Sequence, residues 1–150
     1  MPQSLSKIYV HLIFSTKHRE RVLPDEIRPQ LHSYMGGILN GLGCSPIEIN
    51  TEPDHAHVLF LLSRTEALSD VVGALKKSSN DWLREQSEAF SQFFWQAGFG
   101  AFSVSKSQVE EVRAYIKTQR EHHHVKSFQD EFRAFLIAFE AEYDERYVWD

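Results

Sequence analysis

The stretch Glu52-Pro53-Asp54-His55-Ala56-His57-Val58-Leu59-Phe60-Leu61-Leu62 constrains the fold more than any other part of the chain. An acidic turn containing proline runs into two histidines separated by one alanine, and then into an unbroken apolar run. That run is short, bounded by turn residues and rich in branched and aromatic side chains, so it predicts a buried strand rather than a helix. Side chains alternate along a strand, which sets His55 and His57 on one face and Ala56 and Val58 on the other. Two residues of rise at ~3.3 Å each put the imidazoles about 7 Å apart, and from there both can reach one cation. A pair of histidines at a strand mouth is also a common structural feature, so the spacing alone leaves both readings open.

A chain of 150 residues is long enough to bury a core, and it is read as one domain across residues 1–150. Hydrophobic residues make up 42% and aromatics 13%, a composition that excludes intrinsic disorder. The single cysteine, Cys44, excludes an internal disulfide framework and fits a reducing compartment. No apolar run reaches the ~18 residues of a membrane span, and the N-terminus has no signal-peptide pattern, so a cytoplasmic protein without membrane association is expected. The net charge of −5 argues mildly against nucleic acid. It is concentrated in residues 125–150, where seven acids face Lys126, Arg133 and Arg146, so the rest of the chain is almost neutral. Local patches decide binding, and the total excludes little.

In chain order, Lys7–Ser15 alternates, with Ile8, Val10, Leu12 and Phe14 on one buried face and Tyr9, His11, Ile13 and Ser15 on the other. His11 reads as a satisfied sheet histidine or as part of a site wall. The basic exit loop Lys17-His18-Arg19-Glu20-Arg21 is a solvated loop or a phosphate contact. Pro24-Asp25 opens a helix with Asp25 as expected N-cap, a stripe at Ile27, Leu31, Tyr34, Ile38 and Leu42, and an end at Gly41 and Gly43. Ser45–Asn50 predicts a strand with Ile47 and Ile49 facing in, joined by the Thr51–Asp54 turn to the histidine strand. A second helix over Ala67–Gln86 buries Leu68, Val71, Val72, Leu75, Trp82 and Leu83, with Ser69-Asp70 as its expected cap. Lys76, Lys77 and Arg84 lie off that stripe, on a solvated face or against a phosphate backbone. The aromatic, glycine-punctuated Phe93–Val104 leads into a last short strand. Its rings serve the core or stack on unpaired bases.

Ser107–His122 predicts a third helix, packed through Val109, Val112 and Ile116. Tyr115 and Gln119 stand one above the other on an adjacent face. Arg113, Lys117 and Arg120 fall nearly opposite Tyr115, interleaved with Glu110 and Glu121 as a self-paired solvated face. The run His122-His123-His124 cannot converge on one ion from a helix end. Ser127 caps a fourth helix with the stripe Phe128, Phe132, Phe135, Leu136 and Phe139, and the aromatic tail Tyr143–Trp149 is expected to pack on the body or on a second subunit. The resulting order, strand–helix–strand–strand–helix–strand with added C-terminal helices, is an α+β, ferredoxin-like split βαβ antiparallel sheet with the histidine strand central.

Five segments carry a resemblance: His11–Lys17, Glu52–Val58, Trp95–Val104, Tyr115–His123 and Asp144–Trp149. In this order they look like the single-tyrosine HUH transposases, the IS200-like family of bacterial insertion sequences with its REP-associated relatives. The resemblance implies a small homodimeric enzyme that cuts and rejoins single-stranded DNA at hairpins on element ends, through a 5′-phosphotyrosine and without a nucleotide cofactor. It implies His55 and His57 as metal ligands, Gln119 as the third, Tyr115 as nucleophile, and Mg²⁺ or Mn²⁺ as the metal. It also implies that the tyrosine helix serves the histidines of the other subunit. The chemistry agrees: a phenol with an ordinary pKa near 10 is a weak nucleophile and needs a nearby positive charge. Imidazole would suit Zn²⁺ equally well, so ligand type leaves the metal open. Lys17, Arg19, Arg21, Lys76, Lys77 and Arg84 are the candidate DNA contacts. Alternatives are a host-adopted, repeat-processing nickase of the same chemistry and a non-catalytic single-strand-binding module. A histidine-triad nucleotide hydrolase would need a histidine where Leu59 stands.

Overall fold

Residues 2–122 and 126–150 are described by the computed structural model of the chain. Its elements are β1 (Ile8–Ser15), α1 (Arg28–Gly41), β2 (Ser45–Glu52), β3 (His55–Leu62), α2 (Leu68–Gln86), β4 (Gly100–Val104), α3 (Val109–Lys117), α4 (Gln119–His122) and α5 (Phe128–Ala138). The strands form one antiparallel sheet in the order β2-β3-β1-β4, which is the ferredoxin-like plan expected from the alternation of elements. β3 is an inner strand. His57 stands opposite Ile13 of β1 and Asn50 of β2, and Pro53-Asp54 alone closes the hairpin between Glu52 and His55.

One face of the sheet meets α1 and α2. Val10, Leu12 and Phe14 of β1 and Ala56, Val58 and Phe60 of β3 pack there against Leu31, Met35, Leu39, Val71, Val72, Leu75 and Leu83. Each such fully buried large side chain contributes ~1.5–3 kcal/mol of transfer free energy. The other face is covered too. Ile13 and Phe102 lie under Phe128, Phe132 and Leu136 of α5, while Leu59 and Val104 lie under Val109 and Ile116 of α3. β1 is therefore buried on both faces rather than one, because the C-terminal helices close over its second face.

Several local expectations give way. Asp25 caps nothing: it opens a 3-10 turn, and its carboxylate pairs with Arg28 and Arg120 instead. The buried line of α1 runs through Leu31, Met35 and Leu39, with Ile27, Tyr34, Ile38 and Leu42 half-buried beside it. In β2 a register shift between Pro46 and Glu48 breaks the alternation, so Ile49 packs with the α1–α2 core and Ile47 with the α3 cluster. The N-cap of α2 is Ala67 without a side-chain bond, so Ser69-Asp70 lies inside the first turn. Ser79 takes a buried position on that helix, donating to the Leu75 carbonyl and accepting from the Trp95 indole at 2.8 Å, while Trp82 is half-buried and stacks on Tyr34.

The third predicted helix is two. It breaks at Thr118, whose hydroxyl bonds back to the Ala114 carbonyl at 2.9 Å. Ser127 does cap α5, accepting from the Asp130 N–H at 3.2 Å. The α5 stripe differs at two places: Phe139 is 46% exposed, and the charged Glu131 is buried. Among the described residues no helix is long and apolar enough to cross a membrane.

Gly100 decides how closely α5 can approach the sheet, since a Cβ there would run into the Phe132 ring. Gly100→Ala is expected to cost ~1–3 kcal/mol by overpacking. Urea unfolding reads this directly, and an unchanged midpoint would refute the account.

Candidate metal centre and nucleophile

The histidines open β3, where the two-residue hairpin turn leaves Asp54 against His55. Asp54 Oδ1 holds His55 Nδ1 at 2.6 Å, so Nε2 is the ring nitrogen that could meet a cation. His57 is fully buried: its Nδ1 lies 2.8 Å from Nε2 of His11 on the neighbouring strand, and its Nε2 lies 2.9 Å from Glu131 Oε1. A carboxylate only accepts, so a neutral His57 donates from Nε2 and accepts at Nδ1, making His11 the donor there. His11 thus belongs to the wall of the site, orienting His57 from behind.

The second oxygen of Glu131 accepts a hydrogen bond from the Tyr115 hydroxyl. Tyr115 is half-buried, with its ring centroid 6.2 Å from that of His57 and 6.0 Å from that of Phe135. Gln119, fully buried beyond the Thr118 break, hydrogen-bonds the phenol through its side chain, and its Nε2 also donates to the Tyr115 carbonyl at 3.5 Å. α3 is pinned to the sheet next to the site. Asn50 donates to the Ile116 carbonyl at 2.7 Å, Arg113 pairs with Glu48, and Arg120 pairs with Asp25 and Glu52. This basic face, expected to be solvated and self-paired, is about half-exposed at Arg113 and Arg120, and acids on β2 and before α1 also reach it across the fold.

Ligand atoms of His55, His57 and Glu131 all lie within 4.8 Å of one another. Two imidazole nitrogens and one carboxylate oxygen, each oriented by a second hydrogen bond, make a donor set that fits a divalent cation. The electrostatics follow from burial and pairing. Burial opposes ionisation of Glu131, but its hydrogen bond and attraction to His57, the Tyr115 bond and His55 together hold the carboxyl well below its ordinary range. Tyr115 is pushed above its ordinary value by burial and by the charge and hydrogen bond of Glu131, against a smaller opposing effect of Gln119. His11 is held well below its ordinary value by burial and by His57.

A family model described as Transposase IS200 like matches residues 4–119. The chain belongs to the IS200-like transposase family. It is 28% identical over 119 residues to the ISDra2 transposase TnpA of Deinococcus radiodurans, covering 74% of this chain and 83% of that one. Its fold is similar to the crystal structure of a candidate transposase from Deinococcus radiodurans R1, with a TM-score of 0.62, 24% identity, and coverage of 79% of this chain and 98% of that one. It is similar also to a REP-associated tyrosine transposase bound to a REP hairpin, with a TM-score of 0.60, 13% identity, and coverage of 82% and 73%. In this IS200-like transposase the matched region ends at Gln119, so α5 and Glu131 lie beyond it.

Of the residues singled out in the sequence, His55, His57, Tyr115 and Gln119 come together in one transposase chain. Lys17, Lys76, Lys77 and Arg84 line a separate groove of about 730 Å³ with Phe94 and Trp149. Arg19 lies over the Trp149 ring at 5.5 Å, and Arg21 stands apart, paired with Asp54 at 3.8 Å. The side chains of the His122-His123-His124 run fall outside the described residues. Glu131 was not foreseen. Its signal was present as one acid in the Phe128, Phe132, Phe135 stripe, three residues after Phe128, where an apolar side chain belongs.

In the metal-free protein, acid should act on two groups in the same direction. Below the ordinary histidine value of 6.5 the unfolded chain binds a proton that buried His11 refuses, so stability falls as pH drops. The depressed Glu131 contributes stability above its ordinary value of 4.5, which is lost as pH falls below it. Urea midpoints should decline from near 6.5 and more steeply below 4.5, and Glu131→Gln should flatten the lower limb. A flat profile would contradict both assignments.

Proposed function

We propose that this IS200-like transposase cuts and rejoins single-stranded DNA at hairpin-bearing element ends, with Tyr115 as nucleophile and a divalent cation at His55 and His57. The observation that carries the reading is the chain of hydrogen bonds from the Tyr115 hydroxyl through Glu131 to His57 within one protomer. By family resemblance Gln119 is the third protein ligand, and Mg²⁺ or Mn²⁺ is the ion. When bound, the cation polarises the scissile phosphate and offsets charge developing on its oxygens.

The other steps belong to the protein. Tyr115 Oη forms a bond to phosphorus as the bond to the 3′-oxygen breaks, leaving a 5′-phosphotyrosine and a free 3′-OH. The phenol proton leaves toward Glu131, the acceptor it already has, and the departing 3′-oxygen takes one from water. The phosphotyrosine keeps the energy of the phosphodiester, so rejoining needs no nucleotide cofactor. Half-burial of Tyr115 beside Phe135 limits attack by water on the same phosphate.

The groove lined by Lys17, Lys76, Lys77, Arg84, Phe94 and Trp149 is the proposed track for unpaired DNA. Lys17 and Arg84 both lie over the Phe94 ring, at 5.3 and 4.0 Å from its centroid, so a phosphate and a base face can be met together. Lys76 is held at about 8 by burial while donating to the Ala97 and Gly98 carbonyls. Trp149 packs on Phe128, and Phe128 packs on His55, so groove and metal centre share a wall. Arg19, over the Trp149 ring, extends the basic surface at the groove's edge.

Incubation with labelled single-stranded DNA from the flanks of its own gene plus Mn²⁺ should give a covalent adduct on a denaturing gel, lost on chelation. Tyr115→Phe should abolish it while sparing DNA binding; wild type that binds DNA but never forms the adduct would favour a binding module. Phe94→Ala with Arg84→Ala should weaken single-strand binding by roughly tenfold, from lost stacking and a lost phosphate contact, and an unchanged affinity would remove the groove from the account. The assembly proposed is a homodimer whose sites are each complete within one chain. A mixture of His57→Ala and Tyr115→Phe chains should therefore stay inactive, and recovered cleavage would show that the tyrosine acts on the partner.

A further inference from the structure

Glu131 is a carboxylate in a place that favours a hydrocarbon. It lies on the buried stripe of α5 with Phe128 and Phe132, in a helix that docks where Gly100 lets Phe132 approach. Burying a charge there costs free energy that an apolar residue of similar size would not incur, so its position calls for a role other than packing. Its two oxygens face two different groups: Oε1 lies 2.9 Å from His57 Nε2, and Oε2 accepts from the Tyr115 hydroxyl.

We propose that Glu131 is a bridging residue, with Oε1 ligating the cation held by His55 and His57 and Oε2 holding the Tyr115 hydroxyl. The proposal rests on the reading above that the histidines bind a divalent cation. Three observations support it. The ligand atoms of His55, His57 and Glu131 lie within 4.8 Å of one another, so one ion can meet all three with small side-chain movement. Two neutral imidazoles and the neutral Gln119 amide bring no negative charge, whereas hard cations such as Mg²⁺ or Mn²⁺ favour anionic oxygen. The position Oε1 occupies on His57 Nε2 is the direction from which a ligated ion would approach, so the carboxylate exchanges a hydrogen bond for a coordinate bond without leaving the tyrosine. α5, which lies past the family-matched segment, then completes the centre and fixes the nucleophile against it in the same chain.

The test is Mn²⁺ titration of the intact protein, followed by calorimetry and by the electron paramagnetic resonance signal of the ion. Wild type should bind, His57→Ala should abolish binding, Tyr115→Phe should leave affinity unchanged, and Glu131→Gln should weaken it by roughly tenfold or more. Glu131→Gln binding as tightly as wild type would overturn the ligand role while leaving the cation reading intact. Absence of binding by wild type would overturn both. At saturating Mn²⁺ the adduct should still form more slowly in Glu131→Gln than in wild type, because a neutral amide holds the hydroxyl less firmly than a carboxylate and cannot take its proton. Full recovery would overturn the tether. Thermal unfolding of the metal-free variants checks the fold; should Glu131→Gln not fold, Glu131→Asp takes its place, with weakened Mn²⁺ binding expected and wild-type affinity overturning the proposal.

Discussion

Two imidazoles on the inner strand of a sheet have to be satisfied away from water, and the architecture around β3 answers that need. A buried polar nitrogen without a partner costs free energy on the scale of a lost hydrogen bond. His55 meets Asp54 at its own hairpin turn, and His57 meets His11 across the strand pair. The remaining contact of His57 cannot come from the sheet. It comes from Glu131 on a helix that must fold back over the sheet to deliver it.

That requirement divides the sheet into two faces with different duties. The α1–α2 face is almost wholly hydrocarbon and supplies most of the burial. The opposite face mixes an apolar cluster under α5 with the polar line His11–His57–Glu131–Tyr115. Stacked aromatic pairs, Phe128 on Phe132 and Phe102 on Phe135, hold α5 in place beside that line. The packing therefore fixes the geometry, and the polar line gives that geometry a use.

What could be read from the sequence was what depends on period and punctuation. The ends of β3, the close of α1 near Gly43 with its φ of 75°, and the Ser127 cap follow from local chemistry, and the sheet plan from the order of elements along the chain. The misses share a different cause. Asp25 passes its cap role to a pairing with Arg120, 95 residues away, and the bulge in β2 separates Ile47 from Ile49 by fitting them to two different cores. A helical wheel does not show that Arg113 and Arg120 pair with Glu48 and Glu52, because the wheel contains no β2. At the site the same rule holds: the histidine pair stands out by local pattern and Tyr115 by resemblance to the family, whereas Glu131 is identified by what it reaches across the fold. An acid inside an apolar stripe was the visible trace of that reach.

On the proposed reading, the arrangement would keep Tyr115 quiet until a substrate and an ion are in place. With Glu131 ionised beside it and partial burial around it, the Tyr115 phenol is pushed above its ordinary value, so in this arrangement it holds its proton firmly. The same carboxylate that raises the barrier to ionisation is an acceptor already aligned on the hydroxyl. A dication among His55, His57 and Glu131 would reverse the sign of the local field, because its charge outweighs that of one carboxylate at comparable distance. On the proposed reading, reactivity is then conditional: a chain without metal or phosphate keeps a protonated phenol pinned to a neighbour, and the groups that pin it are those that position it for attack.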